Sequence, residues 1–447
     1  MLGMRKALAA ATAMVVVATG LVASTPLARA ATASGTLTLA AGQAVTAKFT
    51  GTKLDTKRQV VLQSSTDGVK WQSVKTVRMS SKGVASFGLV AADGKFYQAV
   101  AKAFSYTVKK KKVTAAAVTT PVQTLGAPSF REEFSGPGLD PRVWKQRTVV
   151  GYNATGRWCS APVAANTVVS GGLAQLRTTA VTDAKAKRTV LDQTAARLQK
   201  LHQRERDKAL AAKSAARAKL TAAKALPAKT KAQKSKRAAA VKKATTAYNK
   251  TVSALKAVEA KLTPCPNGVY DNAMISTEGT YSVSAGTVVA RVKFAPGQGS
   301  HAGLWLQAPG GDEIDIIEAY GHGRGVTNVI HRRVGSTLRK EPAVDKDAYV
   351  AAKTVASSSW WSKWHTVAVT FDSGKISFYL DGVRTRQLKG MAGDFALIVS
   401  QLSSDWETYR ISGPDSRPGS GVDVADVAEP TLPFSMEVDW VRAWEKA

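Results

Sequence analysis

The sequence has few cysteines and histidines, an unequal share of acidic residues and, past its first segment, no long hydrophobic run. Two cysteines and five scattered histidines offer little material for a metal site built from side chains. No stretch after residue 30 is long and apolar enough to cross a membrane. The length of 447 residues is instead typical of two or three folded domains.

Acidic residues are outnumbered, with 32 Asp and Glu against 63 Lys and Arg, which gives a formal net charge of +31. Such a charge suggests a polyanionic partner, and nucleic acid is one candidate. The excess is uneven, however, because much of it lies between residues 183 and 262, with another run at Lys109–Lys112. We expect no nucleic acid partner. On an exported protein, a basic surface could equally bind an anionic cell-wall polymer or an acidic polysaccharide.

The first 30 residues have the pattern of a secretory signal peptide. Arg5 and Lys6 precede an apolar run that ends near Val22, and Ala28-Arg29-Ala30 is a small-x-small cleavage site. The mature protein is therefore expected to begin near Ala31 and to be secreted and extracellular. In that setting the two cysteines, Cys159 and Cys265, predict one disulfide.

Residues 34–108 predict a small β-sandwich, because short alternating strands are separated by turn signals such as Ser65-Thr-Asp-Gly68. The segment resembles the immunoglobulin-like modules attached to secreted actinobacterial hydrolases. Residues 109–127 carry a lysine run, Ala, Thr and Pro121 without an apolar period, so they predict a linker.

A short acidic stretch, Gly311 to Tyr320, organises the rest of the chain. Its isoleucines favour a strand on which Glu313 and Asp315 share one face. Regular alternation would turn Glu318 away, but one extra residue, a β-bulge at Ile316 and Ile317, would return it to that face. The alternative is an edge strand with a solvated acidic face.

This stretch resembles the Glu-x-Asp-x-x-Glu signature of glycoside hydrolase family 16, of the laminarinase-like, bulge-containing type. Further segments match in the family's order: Phe130 to Trp144, Ala290 to Phe294, Trp364 to Phe371, Phe378 to Gly382 and Met436 to Trp444. The resemblance implies a mainly β fold for residues 128–447, an antiparallel jelly-roll sandwich of the concanavalin A-like type. It also implies a retaining endo-glycosidase.

Within that resemblance Glu313 is the nucleophile, Glu318 the general acid/base, and Asp315 the residue that keeps the two from titrating alike. The resemblance also implies residues of the cleft and a structural Ca²⁺ ligand, while two tryptophans beside a loop are expected to line the cleft rim. Catalysis itself is expected to need no cofactor. The predicted substrate-binding residues are Arg291, Trp305, His331 and Trp406, the rim is Trp360 and Trp361, and the calcium ligand is Asp439.

The predicted substrate is a polysaccharide, most simply β-1,3-glucan or mixed β-1,3/1,4-glucan. Two departures from the family pattern put the linkage in doubt: Ser300-His-Ala-Gly303 replaces a common Trp-Pro pair, and Gln401 to Trp406 replaces a glycine-rich stretch. The alternative function is a carbohydrate-binding or surface-attachment protein without turnover. A monomer is expected.

Residues 183–262 interrupt the family pattern. They are rich in Ala, Lys and Arg and contain no Gly, so they predict an antiparallel hairpin of two helices, each of roughly 30–35 residues, with Pro227 in the break. Val241, Tyr248, Leu255 and Leu262 recur every seven residues, as on a coiled-coil seam, and Leu191, Leu198 and Leu201 could face them. The hairpin is a candidate site for an anionic partner; a solvated spacer and a lid over the cleft are the alternatives.

Overall fold

The structure is a computed structural model, which describes residues 32–148, 159–262, 264–265, 268–295, 300–320, 325–343, 350, 360–361, 363–403 and 432–446. The predicted signal peptide lies outside these residues. Within them the chain is mainly β, and its helical part is concentrated in one long hairpin. Neither helix of the hairpin has an apolar stretch long enough to cross a membrane.

The N-terminal domain is a sandwich of two small antiparallel sheets. One sheet has the order β1-β2-β5, and the other has the order β10-β6-β3-β4 with β9 also paired to β6. Alternating residues such as Val45, Ala47 and Phe49 fill the space between them. The strands are β1 (Ser34–Thr38), β2 (Ala44–Thr50), β3 (Gln59–Ser65), β4 (Gln72–Arg78), β5 (Val84–Val90), β6 (Phe96–Ala101), β7 (Phe104–Val108), β8 (Lys111–Ala115), β9 (Val118–Thr119) and β10 (Gln123–Thr124).

The prediction of a linker over residues 109–127 is wrong for most of its length. β7 and β8 form a hairpin whose turn is made by Lys109 and Lys110, both with positive φ. β9 and β10 then pair with β6 and complete the second sheet. The sequence gives little sign of these strands, because β8 has a single large apolar residue, Val113, and that residue is 38% exposed.

The second domain is a sandwich made from one long sheet that folds over itself. β15 joins the two halves: its first part pairs with β26 and its last residues pair with β16. The first half has the order β21-β20-β19-β18-β25-β16, and the second has the order β26-β17-β22-β23-β24. Between them lies the main apolar core, to which Ile314, Ile316, Val288 and Phe378 contribute. This arrangement confirms the predicted jelly roll.

The strands of this domain flank the helical insertion on both sides. Those before it are β11 (Phe130–Glu132), β12 (Lys145–Gln146), β13 (Ser160–Pro162), β14 (Thr167–Ser170) and β15 (Leu173–Ala180), with a short 3-10 helix at Ala164–Asn166. Those after it are β16 (Tyr270–Ser276), β17 (Gly286–Lys293), β18 (His301–Gln307), β19 (Glu313–Tyr320), β20 (Gly325–Val334), β21 (Thr337–Glu341), β22 (His365–Phe371), β23 (Lys375–Leu380), β24 (Val383–Lys389), β25 (Ala396–Leu402) and β26 (Phe434–Glu445).

The two domains pack together on the outer face of the second half-sheet. The Ala44 N–H donates to the Gly382 carbonyl at 3.0 Å, and Gly42 passes so close that a Cβ there would lie 2.3 Å from the Cβ of Ala368. Gly42 also has a φ of +69°, which glycine adopts without steric cost. The buried carboxylate of Asp93 adds an ion pair to Arg442 at 2.6 Å.

The insertion forms the predicted helical hairpin. α1 (Ala184–Lys224) begins after Asp183, whose side chain accepts from the Ala186 N–H. α2 (Lys231–Ala260) begins with a complete capping box between Thr230 and Gln233. At 1.5 Å per residue, the 41 residues of α1 extend about 60 Å, so this helix is longer than expected and α2 is at the short end of the prediction.

The seam between the two helices differs from the predicted heptad. Leu198 and Leu255 are buried as expected, but Leu201 is 63% exposed, which contradicts its predicted place. Toward the tip the seam consists of small residues, including the buried Ala216 and Ala223. Apolar contact is therefore concentrated near the base of the hairpin.

The base of the hairpin is fixed by the disulfide between Cys159 and Cys265, which confirms the predicted pairing. Val181, Val190 and Val269 pack around the two sulfur atoms and form a small core separate from that of the jelly roll. The bridge thus joins the segment before β13 to the segment that leads from α2 into β16.

Candidate active site

β19 contains the predicted bulge. Opposite β18, Leu304 pairs with Ile317 and Trp305 pairs with Asp315, so one residue of β19 has no counterpart. Ile316 and Ile317 consequently both enter the core, each at most 1% exposed. The extra residue reverses the alternation and brings Glu318 to the face that carries Glu313 and Asp315.

Buried polar groups hold the bulge in place. The Asn328 side-chain amide donates to the Ile316 carbonyl at 2.7 Å, while its oxygen accepts from the Thr385 hydroxyl at 2.7 Å. Because a buried unpaired carbonyl is costly, this contact stabilises the distortion on which the position of Glu318 depends.

Pairing of β19 with β18 and β20 places the residues of the cleft side by side across the sheet. Glu313 faces His331 on β20 and Gln307 on β18; Asp315 faces Trp305; and Glu318 faces Thr327 and Gly303. The three acids and their neighbours therefore lie on the outer face of the first half-sheet, opposite the core.

Glu313 lies at one end of this acidic row. The Gln307 amide donates to its Oε2 at 3.1 Å, and Gln307 accepts from Arg147 at 2.6 Å. The His331 Nε2 lies 3.7 Å from Glu313 Oε1 and 3.4 Å from Asp315 Oδ2, between the two carboxyl groups. A cavity of about 450 Å³ continues the cleft beyond Gln307 and Arg147.

Glu318 has a different environment, rich in donors. Tyr320 donates its hydroxyl to Oε1 at 2.9 Å, and Thr327 donates to Oε2 at 3.0 Å. The His301 Nε2 lies 2.9 Å from the same Oε1.

These surroundings separate the pKa values of the two glutamates. Burial, and after it the negative charge of Asp315, raises the pKa of Glu313 to about 8. Burial would also raise the pKa of Glu318, but the hydrogen bond and charge of His301, with the two hydroxyl donors, outweigh it and hold that pKa well below its usual range. A proton shared by the two glutamates is therefore favoured on Glu313.

An apolar platform lies beside the acids. Trp305 is partly buried against Met274, Ile398 and Leu402, and its indole N–H donates to the Ser400 hydroxyl at 3.2 Å. The Arg147 guanidinium lies 5.4 Å from the centre of a Trp305 ring. A flat aromatic surface with polar groups at its edge suits the apolar face of a sugar ring.

The predicted cleft position of Arg291 is wrong. It lies on β17 between Ala290 and Val292, which face the core, so its side chain is on the outer face of the other half-sheet. There it forms an ion pair with Asp439 and lies 4.7 Å from the Trp364 ring centre.

That ion pair also bears on the predicted calcium ligand. The Asp439 carboxylate is engaged by a guanidinium, which already supplies the positive charge that a Ca²⁺ ion would bring. Among the described residues, the one group of three acidic or histidine side chains close enough to hold a metal is Glu313, Asp315 and His331, with ligand atoms within 4.8 Å of one another. Two carboxyl groups and an imidazole this close together also suit acid–base chemistry.

Two further predictions concern tryptophans. Trp360 and Trp361 do not line the rim: both are buried in the main core, where Trp360 stacks on Phe294 at 5.7 Å. Trp406 lies outside the described residues.

Five residues of the site, Gln307 among them, escaped the sequence interpretation. Tyr320 could have been found, since it is two positions after Glu318 and so shares its face. Arg147, His301, Gln307 and Thr327 reach the site through strand pairing, and the register of that pairing has no local sequence signal.

Residues 229–404 match the family described as Glycosyl hydrolases family 16. The match begins next to α2, includes the acidic strand and its partners β18, β20 and β25, and ends before the closing strand β26. The match confirms the predicted resemblance of this part of the chain to that family, and with it the predicted class, glycoside hydrolase. No curated protein matches the chain.

Solved structures similar to this chain include several glucanases. The laminarinase catalytic domain from Thermotoga maritima is 16% identical, with a TM-score of 0.41, over 72% of this chain and 98% of its own. An endo-β-1,3-glucanase from Pyrococcus furiosus is 15% identical, with a TM-score of 0.42, over 76% and 97%. Likenesses at this level do not establish a shared substrate.

Proposed function

We propose that this glycoside hydrolase is a secreted endo-acting enzyme that cleaves β-1,3- or mixed β-1,3/1,4-glucan and retains the anomeric configuration. The observation that carries the proposal is the bulge in β19, which gathers Glu313, Asp315 and Glu318 on one face of a cleft. A non-catalytic carbohydrate-binding protein would have no need of this distortion, since binding requires no paired nucleophile and acid.

In the proposed reaction the Glu313 carboxylate attacks the anomeric carbon while Glu318 gives its proton to the departing glycosidic oxygen. The carbon–oxygen bond of the substrate breaks, and an ester forms between the sugar and Glu313. Water then attacks the same carbon, Glu318 takes the proton of that water, and Glu313 leaves as a carboxylate. His331 and Gln307 orient Glu313 throughout.

The resting proton stands on the wrong carboxyl group for this reaction. With the pKa of Glu313 at about 8 and that of Glu318 low, the productive form, in which Glu318 is protonated, is the minor tautomer. Both tautomers carry one proton, so a pH–rate profile reports the pair and cannot distinguish them. We assign the roles from the order of the motif, and chemical rescue of variants tests that order.

We propose a β-glucan as the substrate because the acidic motif is laminarinase-like. The partly buried Trp305 beside the acids offers an aromatic surface on which a sugar ring can stack. A reducing-sugar assay on a panel of β-1,3-glucan, mixed-linkage glucan, β-1,4-glucan and galactans tests the proposal. Release from a glucan, with the early product in the β configuration by proton NMR, is expected. Activity on none of these polymers, or an inverted product, would reject it.

The hairpin is proposed to hold the enzyme on an anionic polymer of the cell surface. From Lys208 to Lys250 it contains no Asp or Glu, and its acids lie nearer the base, where Glu205 pairs with Lys261 and Asp192 with Arg188. The positive charge of the tip therefore has no acidic partner within the hairpin. The signal-peptide pattern at residues 1–30 and the disulfide support an extracellular location, where glucan hydrolysis and attachment to the cell surface would both take place.

A further inference from the structure

His301 is a buried histidine beside the reacting carboxyl groups that the reaction above does not use. It begins β18, is 6% exposed and faces Tyr320 directly across the strand pair. Its Nε2 lies 2.9 Å from Oε1 of Glu318, the next cleft-facing position on β19. The two rings of His301 and Tyr320 stack with centroids 4.4 Å apart, which fixes the plane of the imidazole.

The hydrogen bonds around Glu318 distinguish its two oxygens. Oε1 accepts from the Tyr320 hydroxyl and faces His301, while Oε2 meets the Thr327 hydroxyl alone among the described residues. A hydroxyl can either donate or accept, whereas an oxygen that receives two N–H or O–H donors has no room for a proton of its own. When the carboxyl group is protonated, Oε2 therefore carries the hydrogen.

His301 has further neighbours on the other side of β18. On the other side of β18, β25 presents Leu402 opposite it, and Ser300 is engaged with the Gln401 side chain. Two titratable groups of β19, Glu318 and Tyr320, face the imidazole. Glu313 and Asp315 lie toward the other end of β19, and His331 lies on β20 opposite Glu313.

We infer that His301 is a positioning residue for the proposed hydrolysis, which holds Oε1 of Glu318 and forms a hydrogen-bonded acid–base pair with it. The inference rests on the proposed function. When the O–H bond at Oε2 breaks and the proton joins the departing oxygen, the new negative charge is met by the Nε2–H of His301 and the Tyr320 hydroxyl. In the second step the proton returns to Glu318 from water, so the pair ends as it began.

The first experiment compares His301→Phe with His301→Gln, using kcat/KM. Phe keeps a ring against Tyr320 but removes the donor, whereas Gln keeps an N–H donor. Since a hydrogen bond to a charged group is worth roughly 10- to 100-fold, we expect His301→Phe to lose about that much on an unactivated oligosaccharide. An aryl glycoside with a good leaving group needs no acid, so the loss there should be under about threefold, and His301→Gln should recover most of the activity.

His365 provides the matched control. It is also buried and also faces a carboxylate, with Nδ1 2.8 Å from Asp381 Oδ2, but it lies outside the cleft. His365→Phe should affect both substrates alike. Equal losses on the two substrates in His301→Phe, or no loss, would overturn the inference.

The second experiment needs no turnover. The ring titration of His301 is followed by NMR in the wild-type protein and in Glu318→Gln, with the His365 signal as internal reference. Loss of the facing carboxylate should move the His301 midpoint down by about one pH unit or more and leave His365 unchanged. An unchanged His301 midpoint would reject the pair, even if the wild-type enzyme cleaves glucan; a wild-type enzyme that cleaves none of the polymers rejects the proposed function alone.

Discussion

The acidic strand β19 and the helical hairpin use charge in opposite ways. On β19 three carboxyl groups are buried or half-buried; Glu313 and Glu318 accept hydrogen bonds from named donors, and Asp315 Oδ2 lies 3.4 Å from the His331 Nε2. On the hairpin tip, lysines and arginines project into solvent without acidic partners. Buried charges change one another's pKa values and support chemistry, whereas exposed charges of one sign support long-range attraction that salt screens.

Removal of the nucleophile is the strongest way to test the acidic side of this comparison. Glu313→Gln keeps the shape and the Gln307 contact but cannot form the sugar ester, so hydrolysis should fall at least about 1,000-fold. The initial rate of reducing-sugar release on a soluble oligosaccharide measures this. Glu437→Gln on the opposite half-sheet, where the carboxylate meets Lys293 at 3.3 Å, is the matched control and should keep normal activity. Wild-type activity in Glu313→Gln would refute the assignment.

The acid/base residue gives the next largest effect and also tests the order of the roles. Glu318→Ala should lose about 10²- to 10⁴-fold on an unactivated oligosaccharide but much less on an aryl glycoside. Azide should restore turnover and give a glycosyl azide of retained configuration, because it replaces the water that Glu318 activates. An azide product of inverted configuration from this variant would mean that Glu318 is the nucleophile and that the resting proton on Glu313 marks the acid.

Replacement of the hairpin tests the other side of the comparison. When residues 183–262 are exchanged for a short Gly/Ser loop, hydrolysis of a soluble oligosaccharide should remain within about twofold, since no described cleft residue belongs to the hairpin. Retention on an anionic polymer should fall about tenfold or more at low salt.

Salt dependence distinguishes the possible roles of the hairpin. Retention by the intact protein should weaken as ionic strength passes about 0.15 M, where the screening length is roughly 8 Å. A large change in oligosaccharide turnover after replacement would favour a cover over the cleft, and unchanged retention would leave the hairpin a solvated spacer.

The disulfide at the base of the hairpin has a smaller, structural effect. A bridge between residues 106 apart is worth at most about 4–5 kcal/mol in the chain-entropy account, and less where the helices persist in the unfolded chain. Cys159→Ala with Cys265→Ala should therefore lower the unfolding midpoint in urea without changing activity. In the wild-type protein, thiol titration after denaturation without reductant should find no free thiol; two would contradict the bridge.

How far the sequence predicts this molecule depends on whether a feature is local. The bulge follows from the order of charged and apolar residues on one strand, and the hairpin follows from composition and Pro227. Arg291 shows the limit: alternation indicates correctly that it faces outward, but the cleft is on the outer face of one half-sheet and β17 belongs to the other. The contact between His301 and Glu318 could not be predicted from the sequence either, because it depends on the register between β18 and β19.

The smallest expected effect concerns stability and pH, and it follows from the raised pKa of Glu313. Its ordinary value is 4.5 and its value in the folded protein is about 8, so the folded state binds a proton that the unfolded state releases between these values. Stability from this group is complete below pH 4.5 and is lost as pH rises through 8. Glu313→Gln cannot ionise, and it should therefore be more stable than the wild-type protein above pH 8 and close to it at pH 4.5. One kcal/mol corresponds to about 2–4 °C in Tm for a domain of this size, so thermal unfolding at a series of pH values can measure the difference. Parallel Tm profiles for the two proteins would show that the charge of Glu313 is not disfavoured by folding, and the contrast between buried acids and exposed cations would then rest on geometry alone.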